Sequence, residues 1–216
     1  MAQFVVYDIP VCEQINSESG RRYKTPNGDI YPSVTTVLSS IPMPFIDNWR
    51  RKVGEETAKK ISDAAAKRGS KIHGWCEQYL MKQAITHSPF EHEATMMFKN
   101  MKPELDKFDE VHALETRLWS DKLRVAGTVD CIAKIDGVFY IVDFKTSRQL
   151  KNRADIPSYF MQCAAYAVAW YERTGIAIAK MRVIITTQDY GVLVFDENVK
   201  DWVPQFIELR KKFDSL

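Results

Sequence analysis

Apolar and polar positions along this chain follow two periods, and the switch between them marks its elements. Val125 to Ile135 is rich in Val, Ile and Thr and reads as a strand; Val138 to Phe144 is a continuous apolar run of the kind that lies centrally in a sheet. Asp136-Gly137 between them is a two-residue hairpin turn, where glycine accepts positive φ. Val111 to Trp119 splits into two faces, Val111, Ala113, Glu115, Arg117 and Trp119 on one and His112, Leu114, Thr116 and Leu118 on the other. It is expected to pair with Leu123 to Ile135 across Ser120-Asp121. The period then becomes helical from Pro157 to Thr174, with proline at the first position, Gly175 after the last, and Met161, Ala164, Ala165, Val168 and Ala169 as the apolar face. Strands at Met181–Gln188 and Val192–Phe195 follow, then an amphipathic helix from Asn198 to Phe213 with Pro204 near its first turn.

The first half is more broken. Residues 4–31 read as short strands and turns, with Pro26-Asn27-Gly28 as a hairpin signal between Arg21–Lys24 and Ile30-Tyr31. Ser33 is placed to cap a short helix ending near Ile41-Pro42. Ile46 to Lys82 reads as helical, with Gly54, Gly69 and Gly74 as candidate breaks, and Phe90 to Met101 as a further helix whose Met96, Met97 and Met101 are core filler. The expected fold class is therefore α/β (α+β), a central mixed sheet flanked by helices in a single domain spanning 1–216. Residues 1–105 would form a hairpin and a mainly helical lobe, and 106–216 the core.

Composition narrows the picture modestly. Hydrophobic residues at 45% and charged residues at 27% are ordinary for a globular chain. The net charge of +2 means that binding to nucleic acid would need a local basic patch. No apolar run reaches membrane-spanning length, and the N-terminus is neither a signal peptide nor Arg-rich, so the expected location is cytoplasmic (a host cytoplasm if the source is viral). Cys12, Cys76, Cys131 and Cys163 have no metal-site spacing and read as free thiols in a reducing compartment.

Two acids interrupt the apolar strands: Asp130 in the first and Asp143 at the end of the second, with Lys145 on the same face as Asp143. An acid in a central strand is costly unless paired. Two carboxylates on adjacent strands can hold one Mg²⁺ or Mn²⁺, with the lysine beside them supporting phosphodiester chemistry; the same spacing also fits a plain salt bridge to Lys145. The place of Asp143 and Lys145 at a strand end implies that both can be replaced with the fold intact. Thr146 to Arg153 carries Arg148, Lys151 and Arg153 and no acid, and is expected to meet a phosphate backbone. Arg50-Arg51-Lys52 reads as a solvated helix face, Glu115 as a structural partner for a basic residue or, second, an outer-sphere metal group, and His87, His92 and His112 carry no assigned role.

Gly127-Thr128-Val129-Asp130, Ile141-Val142-Asp143-Phe144-Lys145-Thr146-Ser147, and then Gln162 and Tyr166, occur in an order that resembles the PD-(D/E)XK nuclease superfamily, in its RecB-type exonuclease branch of mitochondrial and phage enzymes. The resemblance implies a three-layer nuclease core from about Glu110 onward. It implies catalytic roles for Asp130, Asp143, Lys145, Gln162 and Tyr166, and Mg²⁺ or Mn²⁺ held by Asp130, Asp143 and the Phe144 carbonyl. Arg68-Gly69-Ser70-Lys71-Ile72-His73 resembles the branch's Arg-Gly-x-x-x-His element, which makes His73 a further metal ligand; Glu77, one turn on, could fix its tautomer. Ser33-Val34-Thr35 resembles a Ser-Val-Thr element, and the hydroxyls of Ser33 and Thr35 become candidate phosphate contacts. Some relatives hold an iron–sulfur cluster on a C-terminal cysteine group that this chain lacks, so none is expected. The implied activity is a metal-dependent DNA nuclease, an exonuclease on single strands or DNA ends in replication, recombination or repair. The alternative is an inactive nucleic-acid-binding or recombination accessory protein on the same fold.

Overall fold

A computed structural model describes residues 2–17, 20–42, 44–86, 91–189 and 191–215. The chain runs β1 (Gln3–Phe4), β2 (Glu13–Ser17), β3 (Gly20–Lys24), β4 (Ile30–Pro32), α1 (Val34–Leu38), α2 (Pro44–Val53), α3 (Glu55–Leu80), α4 (His92–Leu105), β5 (Phe108–Ser120), β6 (Val125–Ile135) and β7 (Val138–Ser147). Then follow α5 (Pro157–Thr174), β8 (Lys180–Thr187), β9 (Val192–Asn198) and α6 (Val199–Asp214). Among the described residues the main sheet has the order β1-β5-β6-β7-β8-β9, and β2-β3-β4 form a small second sheet. The main sheet is mixed: β7 and β8 are parallel, joined by α5 as a crossover, and β1 lies parallel to β5.

The β6–β7 hairpin turns where its sequence says it should. Asp136 and Gly137 both have positive φ, 51° and 74°, the geometry of a type I′ turn. β7 then has helices on both sides. Ile141 joins Val183, Ile185, Phe160 and Trp170 in one apolar cluster under α5 and α6; Val142 and Phe144 join Ile72, Met97 and Met101 in the other, under α3 and α4. The inner part of β7 is covered on both faces, which is why Ile141 and Val142 are both apolar; Asp143 interrupts that run.

Three expectations change. The helix at 46–82 breaks only at Gly54, whose φ of 86° suits glycine; Gly69 and Gly74 lie inside the continuous α3. The helix capped by Ser33 ends at Leu38, and the start of the next expected helix, Phe90, lies outside the described residues. The β5–β6 connection is the four-residue Asp121–Arg124, because Ser120 pairs with Val125. No helix among the described residues is long and apolar enough to cross a membrane.

The small sheet is tied to the main one by a bridge between Ser33 and Ala126, and Tyr23 and Tyr31 pack on Trp119 and Ala126. This fixes α1 beside the start of β6. On the same side, α5 is anchored by Phe160, fully buried against Trp202 with ring centroids 4.8 Å apart. Phe160→Ala should therefore cost about 3–5 kcal/mol through the cavity it leaves, measurable as a lower urea midpoint with an unchanged slope; a change under 1 kcal/mol would show that α5 is held elsewhere.

Candidate active site

The site lies where β6 and β7 leave their regular ladder. Cys131 pairs with Val142, and beyond that pair Asp130 Oδ2 accepts a hydrogen bond from the Phe144 backbone N–H at 2.9 Å. Side chains alternate along β7, so Asp143 and Lys145 share the face toward α5 and Phe144 takes the other, where its ring meets the edge of His73 at 6.2 Å. Lys145 Nζ donates to Asp143 Oδ1 at 2.6 Å, and the Tyr159 ring of α5 lies 5.2 Å from the ammonium.

Burial governs the charges. Asp143 is only 3% exposed, and desolvation pushes its carboxyl up to about 6 even though Lys145 pulls it down. Burial acts against the Lys145 ammonium, but Asp143 and Asp130 outweigh it and hold its pKa above the ordinary value. The expectation that both can be replaced with the fold intact rested on a strand end outside the core, whereas Asp143 is buried there. Asp143 is buried and Lys145 partly buried, and removing the lysine leaves the Asp143 carboxylate without its charged partner.

α3 brings His73 over the strand ends, with Nδ1 3.5 Å from Asp130 Oδ2 and 4.0 Å from Glu115 Oε1. The carboxylates facing that nitrogen are therefore Asp130 and Glu115, while Glu77 lines the cavity nearby. Glu115 was expected to be structural. Leu114 pairs with Cys131 and Thr116 with Val129, which sets Glu115 opposite Asp130. Its φ of 43° is unusual for a residue with a side chain, a strain of about 1–3 kcal/mol. Burial first, then Asp130, pushes its carboxyl up to about 7.

These residues fit a divalent cation. His73, Glu115 and Asp130 each offer a ligand atom, all within 4.8 Å of one another. An octahedral ion at about 2.1 Å from its ligands sets them about 3.0–4.2 Å apart, which brackets the two measured His73 separations. Asp143 Oδ2 is buried with no aligned hydrogen bond, although Lys145 Nζ is 2.5 Å away, so it keeps lone pairs to offer. The cluster of three does not include Asp143, whose carboxylate is drawn into the lysine pair.

On α5, Gln162 and Tyr166 are buried one turn apart and line the same cavity of about 900 Å³. Tyr166 lies directly over Gly127: a Cβ there would stand 2.6 Å from the phenol oxygen. That contact accounts for the glycine three residues before Asp130. Ser33 and Thr35 line the cavity from α1, but the Ser33 hydroxyl is occupied, accepting from Thr36 N at 2.9 Å and bonding the Thr35 and Thr36 hydroxyls. The structure does not bring Arg148, Lys151 or Arg153 to the cavity wall. Arg153 is engaged with Glu197 and lies over the Phe160 and Trp202 rings, so it anchors α5 to β9 and α6.

Comparison with known proteins agrees with this constellation. The profile of the PD-(D/E)XK nuclease superfamily matches residues 47–182, from α2 into β8. The chain belongs to the PD-(D/E)XK nuclease superfamily. That match takes in His73, Glu115, Asp130, Asp143, Lys145, Gln162 and Tyr166. Nucleases of this superfamily use divalent metal ions. The chain is also similar to mitochondrial genome maintenance exonuclease 1 of Mus musculus (26% identity over 147 residues, 62% of this chain and 43% of the relative). The Xenopus tropicalis protein of that name matches at 27% over 154 residues (65% and 43%), and the Homo sapiens one at 24% over 132 residues (57% and 38%). The alignments thus span about two-fifths of those relatives' lengths.

Two outcomes test this geometry. Gly127→Ala should destabilise the nuclease by about 1–3 kcal/mol, and by much less when Tyr166→Ala is present; a cycle with no coupling would show that the Tyr166 ring yields freely. The second concerns pH. Glu115 and Asp143 hold their protons in the folded chain at pH values where the unfolded chain has lost them, so metal-free stability should fall as pH rises from about 4.5 to about 7. In Glu115→Gln the melting temperature should be higher above pH 7 and its decline through that window shallower; a profile parallel to wild type would place Glu115 outside the electrostatic cluster.

Proposed function

We propose that this chain is a metal-dependent deoxyribonuclease, an exonuclease acting on single strands or DNA ends. The observation that carries the reading is the convergence of His73, Glu115 and Asp130 beside the buried Asp143–Lys145 pair in one cavity. Its support is the superfamily profile and the three relatives, each named an exonuclease. DNA as substrate and the ends-first mode follow from that likeness and belong to the proposal.

In this reading His73, Glu115 and Asp130 hold Mg²⁺ or Mn²⁺, with Asp143 and the Phe144 carbonyl as further oxygen donors. The imidazole tilts the choice toward Mn²⁺. The bound ion supplies Lewis acidity to the scissile phosphate and lowers the pKa of water. Lys145, kept protonated by Asp143, offers a fixed positive charge to the oxygens of the phosphate as negative charge accumulates there. Tyr166 and Gln162 close the wall on the α5 side and fix the lysine's surroundings. Glu115, with its proton affinity raised to about 7, can take up a proton when no cation faces it and release it when one binds.

The test is digestion of linear against circular DNA, single- and double-stranded, with Mg²⁺ or Mn²⁺ and with EDTA. Wild type should degrade linear substrates only with metal. Lys145→Met should be inactive, and His73→Ala should weaken Mn²⁺ binding in calorimetry by an order of magnitude or more, with partial rescue of rate at high Mn²⁺. Cleavage of circular strands at the linear rate would make it an endonuclease. Binding without cleavage under any metal would leave the accessory-protein reading.

A further inference from the structure

The carboxylates that suit a cation also repel a polyphosphate. Glu77, Glu115 and Asp130 all line the cavity, and its lysine is neutralised by Asp143. A nucleic-acid strand entering here needs a positive charge for the phosphates flanking the one being cut. Among the described residues lining the cavity, Arg21 is the cation not already facing a carboxylate. It comes from β3 in the small N-terminal sheet, outside the stretch that the superfamily profile matches.

Its backbone is held firmly. The Arg21 carbonyl accepts from Ser33 N at 2.9 Å and from Thr36 Oγ1 at 3.1 Å. Gly20, with φ of 106°, lets β3 approach α1 so closely that a Cβ would stand 3.0 Å from the Thr36 methyl. Two residues on, Tyr23 faces the same cavity and is fully buried, fixing the face that Arg21 shares with it. The side chain itself is exposed, with no hydrogen bond or ion pair to any described residue. A rigid strand thus presents a guanidinium, whose fork matches phosphate oxygens, to the cavity that holds the cation cluster.

We infer that Arg21 forms a phosphate subsite for a non-scissile phosphodiester, so that the N-terminal sheet is one wall of the substrate path. This rests on the nuclease reading above and adds a residue to it.

The test pairs two substrates in wild type, Arg21→Ala and Arg21→Lys. One is a labelled oligothymidylate; the other is a p-nitrophenyl ester of thymidine 5′-phosphate, which has one phosphodiester and no neighbour. Arg21→Ala should lower kcat/KM on the oligonucleotide about tenfold or more and leave the small ester unchanged, with Arg21→Lys in between. Anisotropy binding of the oligonucleotide in EDTA should weaken, with the slope of log affinity against log salt shallower by about 0.7. Equal losses on both substrates, or an unchanged salt slope, would overturn the subsite. If wild type cleaves neither substrate, the nuclease reading fails, while the binding slope still decides whether Arg21 contacts phosphate.

Discussion

The buried contact between Asp143 and Lys145 is the constraint around which the rest of the molecule is arranged. A carboxylate and an ammonium two residues apart on a central strand share one face, and that face must be covered to keep the carboxylate from water. α5 covers one side with Tyr159, Gln162 and Tyr166, and α3 covers the other with His73 above Phe144. The pair is no net gain of stability compared with two apolar residues. What it secures is a positive charge that cannot leave the strand and cannot deprotonate in the working pH range. Both properties would serve the phosphate-facing role proposed for Lys145, and a surface lysine has only the second.

The same strand end explains the positions of residues that make no chemistry. Gly127 is glycine because Tyr166 occupies the place of its Cβ. The Ser33–Ala126 bridge brings the N-terminal sheet up to the start of β6. Each holds two elements close enough for side chains from α1, α3, α5 and five strands to meet in one cavity.

Much of this was legible in the sequence, and the failures have physical causes. The β6–β7 hairpin, α5 with its proline and glycine ends, and the pairing of Asp143 with Lys145 rest on interactions within a few residues, where local pattern is informative. Glu115 was missed because its role depends on register. A two-residue turn at Ser120-Asp121 would set Glu115 opposite Ala126, on an uninteresting stretch of β6. The four-residue Asp121–Arg124 connection, with Arg124 at φ 51°, slides it opposite Asp130 instead. Tyr159 and Arg21 were invisible for a related reason, since only tertiary packing brings their elements to the cavity. Arg153 failed in the opposite sense. Its local sequence is basic and acid-free, but Glu197, more than forty residues later, claims it.

The acid cluster and the lysine pair place opposite demands on one small volume. Without a cation, Glu115 and Asp143 resist ionisation, and the folded chain is least at ease where its carboxylates are most fully charged. A divalent ion reverses this, because the carboxylates that repel one another are the ones that bind it. The demand extends outward. In the proposed nuclease a cation on Glu115 and Asp130 would offset those two carboxylates, and with Lys145 already paired to Asp143 the uncommitted positive charge at the cavity rim would be Arg21.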